Sequence, residues 1–237
     1  MVLRLLGSWF FRLIVGSVVA WLTLSYGLLP KFWQHSNRAK AEVRLLVTRT
    51  KQGLPGDPIN IAVQGDRGEL LCLFKRIGWR VPQRVSLKSA VKISASVVVD
   101  HPYATAPVSA LYYEGRIQDI AFEQEVGRSA NRRHHVRFWQ VGPADWLGAA
   151  TFDIGSGLNK YTGQITHHIN GAVDQERDAL VKLLIAQGAA AGADRLSGLP
   201  PQTVLRNGGG DKFMTDGKIK SLTVTHACPD PIAAAGR

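Results

Sequence analysis

From Leu13 to Leu29 the chain carries no charged residue, and this run constrains it more than any other stretch. A helix crossing hydrocarbon needs about 17–25 apolar residues. The run is therefore at the short end. Trp9, Phe10 and Phe11 extend it on one side and leave Arg12 to snorkel towards the interface. Pro30 is expected to end the helix, with Trp21, Tyr26, Phe32 and Trp33 as interfacial aromatics. The expectation is one transmembrane anchor in residues 1–33, single-pass, in the inner (cell) membrane. A cleaved signal peptide is disfavoured, because the run continues past Ala20 and no small-x-small site follows. Arg4 and Arg12 lie on one side of the run; Lys31, Arg38, Lys40 and Arg44 lie on the other. The positive-inside rule thus leaves the side of the soluble body undecided.

Beyond the anchor there is room for one ordinary domain. The chain has 237 residues, 45% of them hydrophobic and 20% charged, which excludes a disordered polyelectrolyte and a polytopic membrane protein. The formal net charge is +11, which suits anionic lipid or nucleic acid. No RNA-binding consensus, zinc-finger spacing or helix-turn-helix signal is present, so the expected partners are the membrane itself, anionic lipid or an envelope protein rather than nucleic acid. The two cysteines, Cys72 in an apolar helical run and Cys228 beside Pro229, make neither a disulfide framework nor a metal knuckle.

Local patterning predicts an α+β fold: an antiparallel sheet packed with about three helices. Residues 34–54 read as a juxtamembrane connector. Gly53 to Pro58 is a turn cluster and Ile59 to Val63 a buried strand. Gly68 to Ile77 is a helix stopped by Gly78, and Ser86 to Val99 a second one. Asp100 to Ser109, with His101, Pro102 and Pro107, is irregular. Arg116 to Val126, His134 to Val141 and Trp146 to Ile154 alternate as strands of a meander, followed by a short strand from Ile165 to Ile169. Asp174 to Gln187 is a helix with Asp174 as N-cap. Residues 189–237 are rich in Ala, Gly and Pro and read as a linker, with a terminal hairpin around Asp216-Gly217.

Histidines carry the chemistry that can be read. Two adjacent pairs, His134-His135 and His167-His168, fall on predicted strands, where neighbours point to opposite faces. Alternation assigns His134 and His167 to apolar faces and His135 and His168 to polar ones. With Asp153 nearby, and Asp174 and His101 as further candidates, they could ligate a divalent metal such as zinc. His135, His168 and Asp153 could instead act as general acid and base. A histidine satisfied by a backbone carbonyl explains His134 or His167 equally well. Arg132, Arg133 and Arg137 form a candidate anion site beside Trp139. Asp119, Glu123 and Glu125 alternate on the neighbouring strand, so cross-strand ion pairing is the cheaper explanation.

Several strings are specific as a set. They are Gly56-Asp-Pro-Ile-Asn-Ile-Ala-Val63, Gly78-Trp79, Pro102-Tyr-Ala-Thr-Ala-Pro-Val-Ser-Ala-Leu-Tyr112, Gly115-Arg116 with Gln118-Asp119, Arg132-Arg-His-His-Val-Arg-Phe-Trp139, and Thr162-Gly-Gln-Ile-Thr-His-His-Ile169 followed by Asp174 and Glu176-Arg-Asp178. In this order they resemble the C-terminal domain of the LssY family over roughly residues 55–188. The resemblance implies a bacterial envelope protein related to a type I secretion component. Relatives can carry this domain behind membrane modules of the DedA and lipid-phosphatase types. It supplies no established reaction. The leading expectation is therefore a membrane-anchored accessory or binding domain. A metal-assisted hydrolase acting on a phosphorylated lipid or envelope precursor, and an assembly part of a secretion complex, are the alternatives.

Overall fold

An uninterrupted helical rod opens the chain in a computed structural model that describes residues 2–37, 46–82, 110–127, 132–199, 201–202 and 204–225. The rod consists of α1 (Val2–Thr23), a π-helical turn (Leu24–Leu28) and α2 (Leu29–Asn37). Pro30 does not end it, contrary to the expectation above. The Leu29 N–H reaches back to the Leu24 carbonyl, and this wider turn lies where a proline removes one helical hydrogen bond and crowds the preceding carbonyls. The stretch Trp9–Ser36 is long and apolar enough to cross a membrane.

The rod docks on the body. The Trp21 indole N–H donates to the Gly163 carbonyl (3.2 Å) and that of Trp33 to the Tyr161 carbonyl (3.0 Å). Gln34 Nε2 donates to the Lys51 carbonyl (3.1 Å), and Trp33 and Tyr161 pack edge to face at 5.4 Å. Ser25 is buried against the same surface.

The body strands are β1 (Val47–Arg49), β2 (Pro55–Pro58), β3 (Ile61–Gln64), β4 (Tyr112–Tyr113), β5 (Arg116–Ile117), β6 (Ile120–Glu125), β7 (Arg133–Gln140), β8 (Asp145–Leu158), β9 (Ile165–Ile169), β10 (Ala189–Ala191), β11 (Arg195–Leu196), β12 (Val204–Arg206), β13 (Lys212–Met214) and β14 (Lys218–Val224). The helices are α3 (Arg67–Arg76) and α4 (Val173–Ala186). The main sheet runs β10-β14-β3-β8-β7-β6, with β9 on the far end of β8; β2-β1-β4-β5 form a smaller sheet and β12-β13 a two-stranded one. The β6–β7–β8 meander is antiparallel as predicted. α3 starts on a capping box between Asp66 and Glu69 and ends at Gly78, whose φ of +79° suits glycine. Cys72 on α3 is half-buried and disulfide-bonded rather than a free core thiol. The expected helix from Ser86 to Val99 and the irregular segment from Asp100 to Ser109 lie outside the described residues.

Four departures from the local reading matter. The Gly53–Pro58 turn cluster contains strand β2. It is an edge strand, which spares its prolines the need to donate on the outer side, and Gly56 packs so closely on Thr48 that a Cβ would come within 2.4 Å of the hydroxyl. The stretch after Gly188 is not a linker. β14 lies between β10 and β3 and runs parallel to β3, with Lys220 opposite Ile61 and Thr223 opposite Gln64. The hairpin expected around Asp216-Gly217 does not form; β13 pairs with β12 and β14 with the main sheet. Asp174 is not a cap either. Its carboxylate accepts from Thr215 Oγ1 (3.0 Å) and the Asp216 N–H (2.5 Å), tying α4 to the loop before β14. Arg177, 1% exposed, holds the same junction through Asp174, Asp178 and Asp216.

Both faces of the main sheet are covered. On one, Val63, Phe122, Phe138 and Leu222 meet Leu70 and Phe74 of α3 and Leu180 and Leu184 of α4. Phe74 and Phe122 stack at 4.0 Å. On the other, Ile59, Trp139, Leu147 and Ile219 pack with Leu111 and Tyr113 beneath the smaller sheet. That second cover buries the face on which alternation had placed the polar residues.

Candidate functional site

Every second residue of β7 from Arg133 to Trp139 faces the second layer, and all four are buried: Arg133, His135, Arg137 and Trp139. The register sets Arg133 opposite Asp153 and His135 opposite Thr151 on β8, and Glu123 of β6 opposite His135. The layer is apolar at Trp139 and polar at the Arg133 end. There a cavity of about 230 Å³ opens, with Asp57, Arg133, His135, Arg137, Asp153 and His167 in its wall.

The groups are closely tied. Arg133 Nε donates to Asp153 Oδ2 (2.8 Å) and its Nη1 to Glu123 Oε2 (3.0 Å). Arg137 Nη1 donates to Asp57 Oδ2 (3.1 Å) and to His135 Nε2 (3.0 Å). Asn207 Nδ2 donates to Asp57 Oδ1 (3.3 Å). Guanidinium can only donate, so Nε2 of His135 is an acceptor and the ring proton sits on Nδ1. The Thr151 hydroxyl, 2.5 Å from Nε2, donates to the same lone pair. Nδ1 is buried 3.4 Å from Asp153 Oδ2, and among the described residues it has no hydrogen-bond partner.

Burial sets the charge states. It holds the His135 ring neutral, its pKa well below the ordinary value, with Arg137 and Arg133 adding to the effect against Asp153. His167 is lowered for the same first reason. Burial raises Asp57, against Arg137. Burial also works to raise Asp153, but His135, Arg133 and His167 outweigh it and keep it below the usual range. Glu123 is pushed up to about 8 by burial, opposed by Arg133. One guanidinium is shared between two buried carboxylates, so Asp153 keeps the charge and Glu123 keeps a proton.

The Glu123 state has a measurable consequence. Its folded pKa lies above the unfolded one of 4.5. The folded chain holds a proton that the unfolded chain has released, so this stabilisation is complete below about pH 4.5 and is lost as pH rises through about 8. Glu123→Gln is expected to shrink the stability difference between about pH 5 and pH 8 by more than about 1 kcal/mol. Urea titrations of both proteins at the two pH values test this; equal slopes would place the proton elsewhere. Asp57 retains its part of the effect in both.

The structure separates several residues that alternation had grouped. Of the histidines, His135 and His167 face the cavity; alternation placed His134 and His135 on the right faces, apolar and polar, but the polar face is the more deeply buried of the two. His134 is partly exposed on the helix side, where its Nδ1 meets Glu176 (2.8 Å) and its ring lies 4.7 Å from Phe152. His168 turns away from the cavity to Asp211 (2.7 Å) and packs over Gly157. The set His135, His168 and Asp153 therefore does not converge. Among the described residues, no group of three or more His, Cys, Asp or Glu side chains is placed to hold a metal ion. Arg132 leaves the arginine group and lies 5.8 Å over the Phe152 ring. Cross-strand pairing is seen for Glu123 with Arg133, while Asp119 pairs with Arg116. Asp174 sits at the α4–β14 junction, and His101 is outside the described residues.

Three contributors escaped the local reading. Asp57 was hidden in the turn cluster, Asn207 in the stretch read as linker, and Thr151 among small strand residues. Thr151, His135 and Asp153 stand in the order of a hydroxyl, a base and an orienting carboxylate. Yet Thr151 is fully buried and does not line the cavity, so its hydroxyl is not presented to a bound molecule. The cavity wall thus combines two guanidinium groups and an imidazole N–H with the carboxylates of Asp57 and Asp153.

No curated protein and no solved structure matches the chain. The profile of the family described as the LssY C-terminus matches residues 38–219, a span that includes β1 to β13, the start of β14 and every residue of the cavity wall, and on that match the chain belongs to the LssY C-terminal family.

Proposed function

We propose that this is a membrane-anchored binding domain of the bacterial envelope whose cavity takes a phosphate-type anionic group at the membrane surface. The observation that carries the reading is His135 Nδ1, a buried donor with no hydrogen-bond partner among the described residues, in a wall that also holds Arg133 and Arg137. Such an orphan costs about 1–3 kcal/mol unless a ligand or water accepts from it. The position of the cavity supports a source in the bilayer. Lys51 and Gln164 line it, and the rod's own contacts fall on Lys51 and on Gly163, next to Gln164.

The test is titration calorimetry on the full-length chain in detergent, with inorganic phosphate in one arm and short-chain phosphatidic acid in the other. His135→Ala and Arg137→Lys are expected to weaken binding at least about tenfold, the worth of one charge-assisted hydrogen bond. Binding of phosphate alone assigns a soluble anion; binding only of the lipid assigns a headgroup. No binding in either arm, or variants with unchanged melting curves and unchanged affinity, would remove the reading.

A further inference from the structure

The uncharged run from Leu13 to Leu29 has Trp21 at its centre, and Trp21 is one of the residues that docks on the body. If that run were the hydrocarbon span, the Gly163 carbonyl would lie at mid-bilayer. The whole turn between β8 and β9 would follow it, since Tyr161 is fixed to Trp33 further along the same rod. That turn carries Asn159, Lys160, Thr162 and Gln164 in irregular backbone, and irregular backbone facing lipid is excluded from hydrocarbon because its polar groups lose their water.

We infer that the rod enters the hydrocarbon at Trp21, so that Val2–Ala20 is the span, Trp21 to about Ser25 crosses the headgroup layer with the β8–β9 turn beside it, and the rest of the rod stands on the water side against the body. The lengths fit. The stretch from Val2 to Ala20 rises about 28 Å at ~1.5 Å per residue, against a hydrocarbon thickness of about 30 Å. Arg4 then falls at the far interface. Arg12 falls inside, where its stem can snorkel, and the apolar residues of the whole span from Val2 to Val19 together offset its cost. The second half of the rod has two faces. Trp21, Ser25, Pro30 and Trp33 turn to the body; Leu24, Tyr26, Leu28 and Phe32 are half or more exposed and apolar, beside exposed Lys31. Where this face is level with the headgroups, at Leu24 and Tyr26, it is matched by acyl chains and phosphates at the interface, so its occupant there is lipid.

This placement is independent of the anion reading, because it requires no ligand. Spin labels on cysteines introduced singly at Phe11, Val15, Leu24 and Leu28, all exposed on the rod, report depth through collisions with oxygen and a water-soluble nickel chelate. The full-length chain is measured in phosphatidylcholine–phosphatidylglycerol vesicles, with the unsubstituted chain as the blank for its own cysteines. The expected result is deep labels at Phe11 and Val15, an interfacial label at Leu24 and a more water-accessible one at Leu28. Leu24 as deep as Phe11 would overturn the inference and would mean that the rod leaves the body on insertion. Water access at all four positions would overturn it as well, by removing the span.

Discussion

A chain ending at Gly217 is expected to show no cooperative unfolding transition. Such a truncation removes only β14 and the residues after it, which composition marks as a tail. But β14 is an interior strand. It donates and accepts along both edges, to β10 on one side and β3 on the other, and β11 also pairs with it. Its side chains serve both layers: Leu222 enters the helix-covered core and Ile219 the opposite one, each 2% exposed or less. Removing it exposes two cores and leaves the β3 edge unpaired, against a total stability of about 5–15 kcal/mol for an ordinary domain. The graded version is Leu222→Ala, expected to cost about 2–5 kcal/mol for a fully buried leucine. Circular dichroism and urea melts on the full-length and truncated chains check both. A sigmoidal melt from the truncated chain would show that β14 is dispensable.

Arg133→Ala is expected to cost about 3–5 kcal/mol. The guanidinium sits between Asp153 and Glu123, and all three side chains are 3% exposed or less. Deleting it leaves Asp153 ionised without its strongest partner, or forces a second buried carboxyl to take a proton. Arg177→Ala makes a useful contrast. Arg177 is as deeply buried, but its carboxylates at Asp174, Asp178 and Asp216 are 23%, 56% and 39% exposed and can rehydrate when it is lost. Its expected cost is about 2–3 kcal/mol, below the range for a wholly buried pair. Midpoints of urea denaturation at pH 7 compare the two directly. A milder effect at Arg133 than at Arg177 would mean that water reaches the cavity cluster freely, and the electrostatic account of the site would fall.

The meander from Ile120 to Leu158, the strand at Ile165–Ile169 and the helix beginning at Val173 were legible because each is a local pattern closed by glycine or proline signals. The histidine faces were not. Alternation correctly separated His134 from His135, but which of them is buried depends on what lies over each face. The smaller sheet covers the His135 face, so it is the more deeply buried of the two. Asp57 and Asn207 reach the cavity from segments that look like turn and linker, over separations of 80 residues to Arg137 and 150 residues between themselves. No local period reports such contacts.

What the sequence determined on its own was the apolar N-terminal helix, the α+β class and the residue types available for chemistry. Each follows from a solvent preference or a repeat of two or 3.6 residues along the chain. Tertiary structure decided the rest: that β14 lies inside the sheet, that Arg133, His135 and Asp153 share a cavity wall while Arg132 and His168 do not, and that the apolar helix meets the body at Trp21. Those outcomes depend on which surfaces cover which. Non-local pairing and burial settle that, and they change the charge state of a side chain without changing anything in its neighbouring residues.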